Sequence, residues 1–172
     1  LSGIWYMFGS DVKITGAGIW YTNLKFTNPN KSGGGISGGN GKHGPDDYCK
    51  NMDISNFYIN SSLRSRYNQE AVYKCFMDVF KGGSAIHDIW EDHFECGFWI
   101  ADYNGTIDYS NNLKIYNCRI RNNFADGVNF CQGTSNATVY NCSIRNNGDD
   151  GLAMWNDDYL GAHDEKNNTF AY

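Results

Sequence analysis

The sequence predicts an all-β solenoid, a parallel β-helix of about five to six coils with loop insertions. Two patterns and the composition point there. Segment 112–127 (NLKIYNCRIRNNFADG) repeats 24 residues on as 136–151 (NATVYNCSIRNNGDDG), sharing Asn112, Tyr116, Asn117, Cys118, Ile120, Arg121, Asn122, Asn123, Asp126 and Gly127. A shorter unit, apolar-x-Asn/Asp-apolar-x-apolar, extends the repeat backwards. It reads Tyr21 to Phe26, Ile54 to Ile59, Ile86 to Glu91, Ile115 to Ile120 and Val139 to Ile144, with Glu91 breaking the last apolar position of its copy. The chain also holds 20 Gly, only two Pro and 16% aromatics, which suits short strands and tight turns rather than long helices.

The anchors of the short unit stand at Asn23, Asn56, Asp88, Asn117 and Asn141. Apolar alternation on each side of an anchor reads as two short strands meeting at a bend. An Asn there can satisfy backbone groups and its neighbour in the next coil, giving a ladder along the solenoid. The early coils are longer, so loops are expected at 28–47, 61–70 and 102–111. A third strand should follow in each coil, at Ala71-Val72-Tyr73, 97–100, 127–130 and 151–154. Phe98, Ile100, Val128, Phe130, Leu152 and Met154 should then point inward, and Trp99, Asn129 and Ala153 outward. Residues 167–172 resemble the opening of a further coil. The 172 residues are therefore expected to be part of one β-helix domain, truncated at both ends.

Charge and cysteine usage exclude several classes. A net charge of −5 disfavours nucleic acid as a partner, and no apolar run is long enough for a membrane helix. The six cysteines show neither CxxC nor zinc-like spacing, so small buried core residues are expected first and a disulfide second. No metal and no cofactor are expected, and the chain is read as a monomer.

Chemistry concentrates before the third strand, where successive coils offer Glu95-Cys96, Ala125-Asp126 and Asp149-Asp150. Stacked in register, Asp126 falls beside Asp150, about 4.8 Å away across parallel strands, with Asp149 one residue off. Clustered carboxylates can leave one protonated as a general acid while others activate water, as in an inverting glycosidase. Calcium binding, or a plain Asp-Gly turn, would use the same residues. Trp99, Tyr103 and Trp155 should lie near this turn as stacking surfaces for sugars, with Asn129 beside them. His93 and Glu95, in the corresponding turn one coil back, and Arg66 and Tyr67, in the loop two coils back, complete the candidate substrate contacts. Trp90 and Phe94 are expected in core or bend packing.

GIWYTNLKFTNPN (18–30), SNFYINSSLRSRYNQEAVYK (55–74), HFECGFW (93–99), IRNNFADGVNF (120–130) and SIRNNGDDGLAMW (143–155) together resemble glycoside hydrolase family 87, the endo-α-1,3-glucanases and mycodextranases. The resemblance implies a right-handed parallel β-helix, a secreted enzyme, an α-glucan substrate and hydrolysis with inversion. It also implies catalytic roles for Asp126, Asp149 and Asp150. By analogy with polygalacturonases, which also use one Asp and then an Asp-Asp pair, Asp149 would be the acid and Asp126 with Asp150 would activate water. Cleavage of α-1,3 bonds in α-1,3-glucan leads; mycodextranase action on the α-1,4 bonds of nigeran and a non-catalytic glycan-binding solenoid remain open. A pectin-type hydrolase is disfavoured because Gly-His-Gly and Arg-Ile-Lys motifs are missing.

Overall fold

Strand pairing in this chain runs from each coil to the next. The computed structural model describes residues 1–30, 33–39, 47–66, 73–101, 109–156 and 164–171. In chain order its strands are β1 (Trp5–Tyr6), β2 (Lys13–Thr15), β3 (Asn23–Phe26), β4 (Ile36–Ser37), β5 (Cys49–Lys50), β6 (Asp53–Ser61), β7 (Lys74–Met77), β8 (Phe80–Lys81), β9 (Ala85–Asp92), β10 (Cys96–Ile100), β11 (Lys114–Tyr116), β12 (Arg119–Arg121), β13 (Val128–Cys131), β14 (Thr138–Tyr140), β15 (Ser143–Arg145), β16 (Leu152–Trp155) and β17 (Thr169–Ala171). One sheet stacks β1-β4-β7-β10-β13-β16. A second, bent sheet carries the first two strands of every coil, and a short third pairs β5 with β8. The pairings are parallel, so this is the expected all-β parallel β-helix.

Parallel stacking turns the sequence repeat into continuous columns inside the solenoid. Ile14, Ile54, Ile86, Ile115, Val139 and Phe170 stand in register on the first strands. Ile36, Phe76, Phe98, Val128 and Leu152 do so on the third. Each column buries apolar surface against the coils above and below, which is the main favourable term in such a fold.

The bends explain the Asn anchors. Asn56, Asp88, Asn117 and Asn141 all have left-handed backbones, with φ of 63°, 51°, 56° and 52°. Asn and Asp tolerate that region far better than other residues with a Cβ. Asn141 Nδ2 donates to Asn117 Oδ1 at 2.6 Å, one rung of a ladder. A second left-handed column, with Asp11, Asn51, Asn112, Asn136 and Asn167, marks the start of the coils. Five cysteines are buried, Cys142 is half-buried, and all six are free thiols.

Several expectations are corrected. Asn23 is not a bend residue: it pairs with Tyr58, two positions past the Asn56 bend. Residues 16–22 fill the place of Asn56-Phe57, so the matching pattern at 21–26 is out of register with the fold. The third strand of the second coil is β7, which begins one residue after Tyr73; Ala71 and Val72 lie outside the described residues. Leu152 and Met154 keep the inward register of Val128 and Phe130 but are 42% and 48% exposed, because β16 ends its sheet. Phe94 is fully buried as expected. Trp90, in contrast, lies on the outer face under the guanidinium of Arg121, 4.3 Å from its ring centroid.

Candidate active site

Three successive turns, at 93–95, 122–127 and 146–151, stack at the corner between the second and third strands. Backbone bonds hold them in register: Ala125 N–H donates to Glu95 O, Asp149 N–H to Ala125 O, and Gly127 N–H to Asp150 O, at 2.7, 3.2 and 2.9 Å. This register puts Asp126 against Asp150 and leaves Asp149 above Ala125 and Glu95, as the repeat arithmetic required.

The Asp-Gly pairs follow from packing as well as turn chemistry. A Cβ on Gly127 would fall 2.6 Å from the Ile144 Cγ2 methyl, and one on Gly97 would fall 2.6 Å from Glu91 Oε1. Only glycine lets the third strand start this close to the second sheet.

Oxygens of Asp126, Asp149 and Asp150 all lie within 4.8 Å of one another. Asp126 is only 7% exposed and both its oxygens are engaged: Oδ2 accepts from Asn129 Nδ2 at 2.8 Å, and Oδ1 from the Asp150 N–H at 3.2 Å. Asp149 and Asp150 face solvent. Arg66 reaches across from the loop after β6 to pair with Asp149 Oδ2 at 2.9 Å, both side chains about half exposed. The three carboxylates could also face a cation.

An open cleft of about 350 Å³ is lined by Arg66, Trp99, Asp126, Asn129, Asp149, Asp150, Ala153, Met154 and Trp155. The structure therefore gathers the three aspartates with Arg66, Trp99, Asn129 and Trp155. The indoles of Trp99 and Trp155 are 6.3 Å apart and tilted, forming an aromatic wall. Tyr67 and Tyr103 lie outside the described residues. His93 turns away: its Nε2 bonds the Leu63 carbonyl at 2.9 Å and its ring packs on Phe124. Glu95 is held by Lys74 in a largely buried ion pair of 2.5 Å. Lys74 also sits 5.0 Å from the Trp99 ring centroid and is paired in register with Cys96 at the foot of the aspartate column. Sequence reasoning missed Lys74, because the second coil has no glycine to mark the start of its third strand.

One more polar group stands behind the turns. Glu91 is fully buried, in register with Ile59 and Ile120. Burial pushes its carboxyl well above the usual range, and the charge of Asp92 adds to this. The Asn123 hydrogen bond and a backbone bond from Arg121 act the other way.

The model of the α-1,3-glucanase catalytic domain D2 family matches residues 1–171. The crystal structure of the Agl-KA catalytic domain is 51% identical across all of this chain, with a TM-score of 0.90. Catalytic domains of a family 87 α-1,3-glucanase, solved with nigerose or with tetrasaccharides, share 22% and 21% identity over 89% and 99% of this chain, with TM-scores of 0.61 and 0.64. The chain spans 30%, 25% and 33% of those three chains. No curated protein matches it. The chain belongs to the α-1,3-glucanase catalytic domain D2 family.

Proposed function

We propose that this chain supplies the catalytic centre of a secreted endo-hydrolase that cleaves α-1,3 bonds of α-1,3-glucan with inversion. The observation that carries the reading is the convergence of Asp126, Asp149 and Asp150 at the floor of an aromatic-walled cleft. The related glucanase was solved with nigerose and with tetrasaccharides, which supports an α-glucan as substrate. In that protein the aspartates replaced one at a time are spaced by the same 23 and 24 residues that separate 126 from 149 and 150 here.

In the mechanism we assign, glucosyl rings pack against Trp99 and Trp155 while Asp149 gives its proton to the leaving oxygen. Asp126 and Asp150, stacked on neighbouring coils, take the proton of the attacking water. Asn129 and the Asp150 N–H fix the Asp126 carboxylate, so it orients water rather than swinging in as a nucleophile. Arg66 must leave Asp149 as substrate arrives, exchanging the carboxylate for sugar hydroxyls. Export fits a substrate too large to enter a cell.

One distance favours a second reading. Inverting pairs are usually about 6.5–9.5 Å apart and retaining pairs about 5–5.5 Å, whereas the nearest oxygens here lie within 4.8 Å. Nearest-oxygen distances understate carboxyl separation, and the locked Asp126 favours inversion. Product analysis on α-1,3-glucan decides. The β-anomer appearing first supports the assignment, and the α-anomer first establishes double displacement. Cleavage of nigeran at α-1,4 bonds without action on α-1,3-glucan would make the protein a mycodextranase.

A further inference from the structure

We propose that Glu91, buried inside the solenoid behind the acidic turns, is a positioning residue that fixes the Asp149-Asp150 turn through Asn123. The proposal rests on the glucanase reading for its activity readout alone.

Glu91 occupies a place where the fold asks for an apolar side chain. Leu24, Ile59, Ile120 and Ile144 fill the other positions of its inward column. A carboxyl in that column gives up hydration that an isoleucine would never need to lose. It is not idle there. Glu91 Oε1 accepts from Asn123 Nδ2 at 2.5 Å, and Asn123 is 3% exposed.

Asn123 ties three coils together. Its Oδ1 accepts from the Phe94 N–H at 2.9 Å, in the turn below. Its Nδ2 and its own N–H donate to Asn147 Oδ1 at 3.0 and 3.2 Å, in the turn above. Its carbonyl accepts from the Gly148 N–H at 2.9 Å, and Gly148 directly precedes Asp149. A second line runs through Gly97. Glu91 Oε1 fills the space that a Cβ there would need, and Gly97 N–H donates to Asp126 O at 3.0 Å. From one buried carboxyl, contacts lead to the turns of all three aspartates. Burial disfavours the charged form of that carboxyl, so its grip on Asn123 comes with less negative charge behind the cleft than a solvated glutamate would add.

The test compares Glu91→Ile and Glu91→Gln in the full-length protein. Isoleucine completes the apolar column and removes the anchor, so Tm should hold or rise. In the same variant kcat on α-1,3-glucan should fall about 10-fold or more, with KM changed less than about 2-fold. Glutamine still accepts from Asn123, so Glu91→Gln should keep kcat within about 2-fold of wild type. Amide exchange at residues 147–151 should quicken about 10-fold in Glu91→Ile, while β13 and β15 stay unchanged. Wild-type kcat in Glu91→Ile overturns the proposal. An equal loss in Glu91→Gln, or unaltered exchange at 147–151, also overturns it. Should isoleucine not fold, Glu91→Met is read by the same criteria. If the wild type itself releases no reducing sugar, the glucanase reading falls, and the exchange comparison still decides the role of Glu91.

Discussion

Arg66 and Asp149 are 83 residues apart in the chain, yet they pair at the lining of the cleft. Because both are about half exposed, solvent screens the pair, and it is worth on the order of 1 kcal/mol. Arg66 gives up this weak pair for substrate hydroxyls, and losing those contacts in Arg66→Ala should lower kcat/KM on α-1,3-glucan by about 5-fold. Since Arg66 is assigned to meet substrate hydroxyls, the loss should fall mainly on KM, and initial-rate kinetics separate the two. The aspartates are distinguished differently. If Asp149 is the proton donor, Asp149→Asn should lose about 10³-fold in kcat on glucan, yet recover most of it on a substrate whose leaving group needs no proton. Asp150→Asn should show no such recovery, because activation of the water is what it lacks. The reverse pattern in stopped assays would exchange the two roles.

At the scale of the element, the sequence was most legible where backbone geometry restricts residue identity. Asn56, Asp88, Asn117 and Asn141 were readable as bends because their left-handed φ values admit few side chains. The same logic read Asp126 and Asp150 as stacked neighbours, since Gly127 and Gly151 fix the register of the third strand. Where an insertion enters, that legibility stops. Residues 16–22 displace the first bend, and Tyr21 to Phe26 imitates the repeat two positions out of register. The Glu91–Asn123 contact was hidden for another reason: it depends on which side chains meet between coils, and the repeat does not encode that. The ladder can be tested directly. Asn141→Ala places a methyl-bearing residue at φ 52° and removes the bond to Asn117, so it should cost roughly 1–2 kcal/mol in denaturant unfolding. Asn141→Gly loses the same side-chain bond but accepts the backbone angle, so it should cost less. Equal losses would show that the side-chain bond, not the backbone angle, selects Asn there.

For the whole molecule, stability is a sum along the axis, since each coil contacts only the coils above and below it. Acidic groups wedged between coils therefore impose their titration on the entire stack. Glu165, which precedes β17, illustrates this. Burial raises its carboxyl from 4.5 to about 7, against a smaller opposing pull from the Gln132 backbone. The folded state then holds a proton that the unfolded chain has already released. Glu165 contributes stability that is fully present below about pH 4.5 and lost as pH rises through about 7. The raised carboxyl of Glu91 acts with the same sign. Glu165→Gln removes the titrating group while keeping its size. The Tm of wild type should therefore decline relative to the variant between pH 4.5 and 7, and the difference should level off above that range. Thermal melts at half-unit intervals across this window are sufficient. Parallel Tm curves for the two proteins would show that Glu165 is solvated in solution and leaves the stack's pH response to other groups.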